Sequence, residues 1–143
     1  MKIKLLILSI LVSFASFSQI NVGMTGGLTN LVPLATISIG YKIQPDNSKL
    51  SYDIQYDQRF YASRNVNYPA YFGVRGIVSY PLNHISNIGF AAGPYYKLAS
   101  TDRKYLNGWR YGYGLKYIRK IFTVELYKLD KKLQISLGFY HKF

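Results

Sequence analysis

Apolar and polar residues alternate with a period of two through almost the whole chain, and helical periodicity is hard to find. This pattern is typical of β-strands, whose successive side chains point to opposite faces of a sheet. The cleanest example is "LSYDIQYD", Leu50–Asp57, where the alternation is unbroken over eight residues. The pattern therefore predicts an all-β protein.

The alternation divides the chain into eight predicted strands with turn residues between them. No linker or low-complexity tract interrupts the series, so a single domain is expected. The longest predicted break is about Gln58–Ala70, and "LDKK", Leu129–Lys132, predicts a tight final hairpin. The approximate strand bounds are Gln19–Leu28, Ala35–Ile43, Leu50–Asp57, Tyr71–Tyr80, Ile88–Leu98, Trp109–Tyr117, Ile121–Lys128 and Lys132–Phe143.

The first 18 residues have the pattern of a secretory signal peptide. A basic start, Met1–Lys4, precedes the apolar run Leu5–Phe14 and the small residues of Ala15–Gln19. The apolar run is shorter than the about 20 residues of a membrane helix, although an uncleaved anchor remains the alternative. We expect a signal peptide at residues 1–18 and one domain at residues 19–143. The chain has no cysteine, which excludes disulfides and a lipid anchor at the cleavage site.

The chain is strongly basic. Without Lys2 and Lys4, 16 basic residues face six acidic ones, a net charge of +10. Such a surplus attracts polyanions. Because an exported chain rarely meets nucleic acid, a lipid or glycan partner is expected instead.

Alternation alone does not show which face is buried, because soluble barrels turn the apolar face inward and membrane barrels turn it outward. Glycine distribution favours a polar interior. An eight-stranded barrel is just wide enough to be filled by side chains, so long polar residues such as Arg75 need small neighbours. The polar face carries Gly23, Gly27, Gly40, Gly73, Gly89, Gly93, Gly112, Gly114 and Gly138, and the apolar face carries Gly26 and Gly76.

The apolar face also suits lipid. It carries no charged residue in the first six predicted strands, as expected where an Arg or Lys at mid-depth costs about 2–4 kcal/mol. Tyrosines and the tryptophan near strand ends suit a membrane–water boundary, although half-buried tyrosines of a soluble sheet remain an alternative. These residues are Tyr41, Tyr52, Tyr80, Tyr96, Trp109 and Tyr117.

The final stretch "LGFYHKF" alternates and ends on an aromatic residue. In this the chain resembles the small eight-stranded bacterial outer-membrane barrels, with the architecture of the OmpA membrane domain and OmpX. The "SQ" start resembles exported proteins of Bacteroidetes-type bacteria. The resemblance implies an antiparallel up-and-down transmembrane β-barrel in the outer membrane. It also implies that the assembly machinery recognises Leu137, Phe139 and Phe143. His141 departs from the apolar series.

Seven charged residues on the polar face are predicted to form a network in the barrel lumen. Because an unpaired buried charge is expensive, we expect them to pair as a polar plug. A narrow, porin-like, anion-preferring pore is the alternative. The residues are Asp53, Asp57, Arg75, Lys97, Arg110, Lys116 and Glu125.

If both termini are periplasmic, the segments after every odd-numbered strand face outward and carry a basic rim. We expect this rim to contact the phosphates of lipopolysaccharide or another anionic glycan. The alternative is a generic solvated rim. Its residues are Arg59, Arg64, Arg103, Lys104, Lys128, Lys131 and Lys132.

One short motif suggests an enzyme. "HIS", His84–Ser86, resembles the His-x-Ser pair of outer-membrane lipid A deacylases, and Glu125 would have to complete their triad. The predicted strands place Glu125 in the lumen and His84 in an inner turn, so we expect a monomeric, non-enzymatic barrel without metal or cofactor. Its expected role is structural, adhesive or lipopolysaccharide-interacting. The other alternative is a secreted or periplasmic soluble β-barrel that binds an apolar ligand.

Overall fold

The computed structural model describes residues 18–29, 32–45, 48–61, 70–98 and 107–142. Eight strands form a closed barrel, in which each strand pairs antiparallel with its neighbours in the chain and the last pairs with the first. This confirms the predicted eight-stranded antiparallel barrel. Residues 1–17, Arg64, Arg103, Lys104 and Phe143, on which other predictions fall, lie outside the described residues. No helix among the described residues is long and apolar enough to span a membrane.

The strands have 8 to 14 residues. Their bounds are β1 Ser18–Thr29, β2 Val32–Ile43, β3 Ser51–Tyr61, β4 Ala70–Asn83, β5 Ser86–Leu98, β6 Gly108–Arg119, β7 Phe122–Leu129 and β8 Lys132–Lys142.

Strand β3 is longer than its sequence predicts. The polar run that follows Asp57 suggested a loop, but β3 continues to Tyr61 because it pairs with β2 as far as Leu34 and with β4 as far as Tyr71. Arg59 therefore belongs to a strand and not to a loop.

The two ends of the barrel differ. The described chain ends, Ser18 and Lys142, lie at one end with the turns after β2, β4 and β6, and we call this the terminal end. The segments that follow β1, β3, β5 and β7 leave from the opposite end, which we call the loop end. Every odd-numbered strand thus runs from the terminal end to the loop end.

The barrel is polar inside and apolar outside. Its buried side chains include Asn21, Gln55, Arg59, Arg75 and Glu125, each at most 2% exposed. Soluble proteins rarely bury such residues while they expose a continuous apolar surface. The exposed side chains include Ile20, Met24, Ile37, Ile39, Ile54, Phe90, Leu115, Ile135, Leu137 and Phe139.

Four of the six aromatic residues expected at strand ends are exposed. Tyr52 and Tyr80 lie towards the terminal end, and Tyr96 and Trp109 lie towards the loop end. The rings of Tyr96 and Trp109 meet edge to face with their centroids 5.5 Å apart. The other two, Tyr41 and Tyr117, are half-buried.

Glycines on the inner face lie where no larger residue fits. A Cβ atom on Gly138 would collide with the backbone of Met24 and Thr25, whereas one on the outward-facing Gly76 would meet nothing within 4 Å. The predicted link between inner-face glycines and a crowded interior is therefore confirmed at this position.

The predicted tight hairpin between β7 and β8 is also present. Leu129 pairs with Lys132, so the turn has two residues, Asp130 and Lys131, with φ values of 49° and 65°. Two positive φ values define the type I′ turn, which matches the twist of antiparallel strands. Because neither residue is glycine, the turn needs additional support from its side chains.

Candidate functional site

Four charged side chains meet in the middle of the lumen, and we call them the central quartet. They are Asp57 and Arg59 on β3, Arg75 on β4 and Glu125 on β7, all at most 2% exposed. Arg59 Nη2 lies 3.0 Å from Asp57 Oδ2 and 2.8 Å from Glu125 Oε1. Arg75 Nε lies 3.0 Å from Asp57 Oδ2, and its Nη1 lies 2.8 Å from Glu125 Oε2. Each arginine bridges both carboxylates, so the quartet is neutral.

Polar and aromatic side chains from two further strands hold the quartet. The hydroxyl of Tyr95 on β5 donates to Asp57 Oδ2 at 2.8 Å. Arg59 Nη1 donates to Gln134 Oε1 on β8 at 2.6 Å, and the Arg59 Cζ atom lies 4.3 Å from the ring centroid of Tyr127. Such contacts stabilise the buried guanidinium through its two Nη atoms and its planar face, while its Nε has no hydrogen-bond partner among the described residues.

A second layer lies between the quartet and the terminal end. Asn21 Nδ2 donates to Asp53 Oδ1 at 2.7 Å, and Gln55 Nε2 donates to Asn21 Oδ1 at 3.1 Å. Lys116 Nζ donates to Gln55 Oε1 at 3.3 Å and lies 4.6 Å from the ring centroid of Tyr140. Gln55 also accepts from an arginine of the quartet, so the two layers form one hydrogen-bonded network.

A third layer lies at the loop end and centres on Asp130. Its carboxylate accepts from the Tyr71 hydroxyl at 2.9 Å and from Lys97 Nζ at 3.1 Å, and Arg110 Nε lies 2.9 Å away. Burial alone would raise the pKa of Asp130, but the hydrogen bonds from Tyr71 and Lys97 and the nearby positive charges hold it below its ordinary value. These contacts tie the strained turn to β4, β5 and β6.

The structure distributes the seven predicted lumen residues over these three layers. Asp57, Arg75 and Glu125 come together in the quartet, and Asp53 and Lys116 lie in the layer beneath it. Lys97 and Arg110 are not joined to the quartet but pair with Asp130.

Sequence reasoning missed Asp130 and the buried tyrosines. Asp130 lies in a turn, where alternation does not predict side-chain direction. The tyrosines could have been found, because Tyr71, Tyr95, Tyr127 and Tyr140 occupy inner-face positions of their strands.

The predicted basic rim needs one correction. Arg59 is not on the rim but fully buried in the quartet, because β3 continues past Asp57 and the alternation turns Arg59 inward. Lys128 and Lys131 are exposed at the loop end, and Lys132 is half-buried there. Lys128 Nζ lies 6.0 Å from the ring centroid of Tyr113.

The residues of the suggested triad are not assembled. His84 is exposed in a turn at the terminal end, and Ser86 is buried with its hydroxyl 3.3 Å from the donating hydroxyl of Tyr117. Both carboxylate oxygens of Glu125 pair with arginines, so Glu125 cannot orient His84. Within the described ranges, no three His, Asp or Glu side chains could hold a metal ion.

The residues of the expected assembly signal that the structure describes face outward. Leu137 and Phe139 are exposed on β8, and the ring centroid of Phe139 lies 5.4 Å from that of Phe122 on β7. β8 closes the barrel by pairing with β1.

No protein-family model and no curated protein sequence matches the chain. Two solved structures are similar over most of their length. One comes from the de novo design of transmembrane β-barrels, with a TM-score of 0.55 and 17% identity, covering 87% of this chain and 95% of that one. The other is the Yersinia pestis outer membrane protein Ail in a phospholipid bilayer nanodisc, with a TM-score of 0.55 and 13% identity, covering 88% and 98%. The chain has the fold of a transmembrane β-barrel. At these identities the likeness concerns the fold alone.

Proposed function

We propose that the protein is a small bacterial outer-membrane β-barrel, exported by its signal peptide. The observation that carries this proposal is the apolar exterior around a polar, ion-paired interior. Lipid suits such an exterior, and a closed barrel satisfies the backbone hydrogen bonds without water. The similar structures in bilayers and designed membrane barrels support the same assignment.

Cell fractionation with gel electrophoresis tests the location. The protein should sediment with outer membranes, require detergent for extraction and migrate differently when the sample is not heated, because a closed barrel resists the detergent of the gel. Recovery from the periplasm without detergent would contradict the proposal and favour the soluble barrel. The described interior already argues against that alternative, since charged and polar side chains do not suit an apolar ligand.

We further propose a non-enzymatic role in which the loop end contacts lipopolysaccharide or another anionic surface glycan. The support is the position of Lys128, Lys131 and Lys132 at this end, where Lys128 extends outward beside Tyr113. Arg64, Arg103 and Lys104, outside the described residues, belong to segments that connect strands at the same end. With the termini in the periplasm, this end faces the outside of the cell.

Replacing these six basic residues with glutamine should weaken binding of the purified protein to lipopolysaccharide. The control replaces Lys49, Arg119 and Lys120, which are exposed at the terminal end, and should bind as the wild type does. Unchanged binding by the six-residue variant would contradict the proposed role. Screening should reduce wild-type binding as salt increases, because the contact is between charges at a surface.

The central quartet also supports a closed lumen over an anion-preferring pore. Its four members fill the middle of the barrel and pair with one another. We therefore expect no reproducible channel steps from the purified protein in planar lipid bilayers. Steps that reverse at an anion-selective potential would instead favour the pore.

A further inference from the structure

Three lysines line the lumen near the terminal end: Lys42 on β2, Lys116 on β6 and Lys142 on β8. Lys42 is 8% exposed and Lys116 is 2% exposed, so the barrel wall largely encloses both side chains. Lys142 occupies an inner-face position two residues beyond the buried Tyr140 and is half-buried. In the described lumen, the carboxylate that lies opposite this group is Asp53, which pairs with Lys42 in the register of β2 and β3.

Among the residues that the structure describes, the groups around these lysines do not balance their positive charge. The central quartet is neutral in itself, so it supplies no spare negative charge. Asp53 takes part in none of the ion pairs found among the described residues, and it accepts hydrogen bonds from Asn21 and Tyr140. If Asp53 is fully ionised, the three positive charges of the lysines and its one negative charge leave a surplus of two positive charges.

Two of the lysines face each other. β2 and β8 are the two neighbours of β1 in the barrel. Lys42 and Lys142 occupy inner-face positions on these two strands. Lys42 pairs with Gln19 of β1 and Lys142 pairs with Asn21, so the two lysines occupy nearby inner-face positions, and Asp53 is level with Lys42. Two like charges in a confined space are unfavourable unless an anion lies between them.

We propose that the terminal-end mouth of the lumen binds a phosphate-class oxyanion between Lys42 and Lys142. A phosphate group offers several acceptor oxygens and up to two negative charges, which matches two ammonium donors and a surplus of two. Lys116, deeper in the lumen, adds a third positive charge. The phosphate could come from free phosphate or from a phospholipid headgroup at this face of the membrane.

The test measures unfolding of the purified barrel in a neutral detergent while inorganic phosphate replaces chloride at constant ionic strength. The wild type should become more stable in a saturable, single-site manner. Its unfolding constant should fall about tenfold when phosphate reaches ten times the fitted dissociation constant. The variants Lys42→Gln and Lys142→Gln should lose this response. Lys49→Gln should retain it, because Lys49 is exposed at the same end but outside the lumen.

Both variants should fold, since each removes one of two repelling charges. Calorimetric titration of the folded wild type with phosphate gives an independent value for the dissociation constant. The proposal is overturned if phosphate has no saturable effect on the wild type, or if it stabilises the two variants as much as Lys49→Gln. Phosphatidic acid added to the micelles separates the two sources. If it competes with inorganic phosphate, the site accepts a lipid headgroup; if it does not compete, the ligand is the free ion.

Discussion

Each arginine of the central quartet contacts both acidic residues. Removing any one member therefore leaves the opposite charges with one partner instead of two. Arg59 pairs with Asp57 and Glu125, and it also donates to Gln134. Breaking a buried ion pair by removing one partner costs more than the pair contributes, because it leaves a charge without compensation in a medium of low dielectric constant. We therefore expect single substitutions in the quartet to be strongly destabilising.

The variant Arg59→Gln should lower the free energy of unfolding by about 3–5 kcal/mol, since it leaves two carboxylates to share Arg75. Arg119→Gln is the matched control, because Arg119 is exposed at a strand end, and it should change stability by less than about 0.5 kcal/mol. Denaturant titration in lipid vesicles measures both. If the two variants lower the free energy of unfolding by the same amount, Arg59 behaves as a surface residue, as the predicted basic rim implies.

Asp130 gives a prediction for acid conditions. Its pKa is lower in the folded protein than its ordinary value, so its contribution to stability is complete above about pH 4. That contribution is lost as the pH falls through the lowered folded value. Asp130→Asn should cost about 1.5–3 kcal/mol at pH 7, the range for hydrogen bonds to a charged group.

The measurement compares the free energy of unfolding of wild type and Asp130→Asn from pH 7 to pH 2. The difference between them should begin to shrink below about pH 4, where Asp130 of the unfolded chain takes up a proton, and it should vanish below the lowered folded pKa, where both proteins carry a neutral group. Titration of the central quartet is common to both proteins and cancels. A difference that stays constant over the whole range would show that the carboxylate charge does not stabilise the turn.

At this scale the sequence predicts the inward residues well where a strand continues and poorly where it ends. Alternation alone assigns Asp57, Arg75 and Glu125 to the lumen. It fails at Arg59, because strand length depends on pairing partners that are distant in sequence. It also fails at Asp130, whose direction follows from the positive φ values of a turn.

Strands pack in this barrel through small residues as much as through large ones. At the seam between β1 and β8, Gly138 pairs with Thr25, and the backbone of β1 occupies the space where a Cβ atom would lie. A side chain there cannot be accommodated by moving a flexible neighbour. The seam that closes the barrel thus depends on the missing side chain at Gly138, and Gly27 meets the backbone of β8 in the same way.

Gly138→Ala should lower stability by about 1–3 kcal/mol, the usual cost of overpacking. Gly76→Ala makes the same chemical change on the outer face, where a Cβ atom meets nothing within 4 Å, and should be neutral or slightly stabilising. Urea unfolding of the two variants in detergent micelles compares them directly. A tolerated Gly138→Ala would mean that the seam can separate without loss.

The last strand also carries the prediction for assembly. Deleting Phe143 should reduce the amount of folded protein in the outer membrane, whereas Phe143→Tyr, which keeps an aromatic ring, should preserve it. Immunoblots of unheated outer-membrane fractions measure the folded form. Wild-type levels of the deletion variant would contradict a role for the terminal aromatic residue in assembly.

Strand β7 is regular in the structure, although apolar and polar residues do not alternate cleanly in its sequence. Its burial alternates without exception, but the inner face carries Tyr127 and Leu129 and the outer face carries Lys128. Tyr127 fills space beside Arg59, and Lys128 lies near the loop end, where a charge can reach water. Binary patterning is weakest where apolar groups fill the interior and charges approach the membrane surface.

For the whole molecule, the sequence predicts the inside-out barrel from two features. The inner-face glycines follow from the narrow interior of eight strands, and the missing outer charges follow from the cost of a charge in lipid. The layering of charge could not be predicted in the same way. The neutral quartet lies between two groups with a positive surplus, which are Lys97 and Arg110 around Asp130 at the loop end and the three lysines around Asp53 near the terminal end. This placement depends on the stagger of the strands, which is not visible in the alternation of any one strand. Among the described residues of the lumen, the positive surplus thus lies near the two ends.

The central quartet joins residues that are far apart in the chain, since Arg59 and Glu125 are separated by 66 in sequence number. Glu125 on β7 can meet the arginines of β3 and β4 only after the sheet has curled. The quartet should therefore contribute little to the rate of insertion and much to the barrier against leaving the folded state. Contacts that form so late should give the barrel a long lifetime once it has closed.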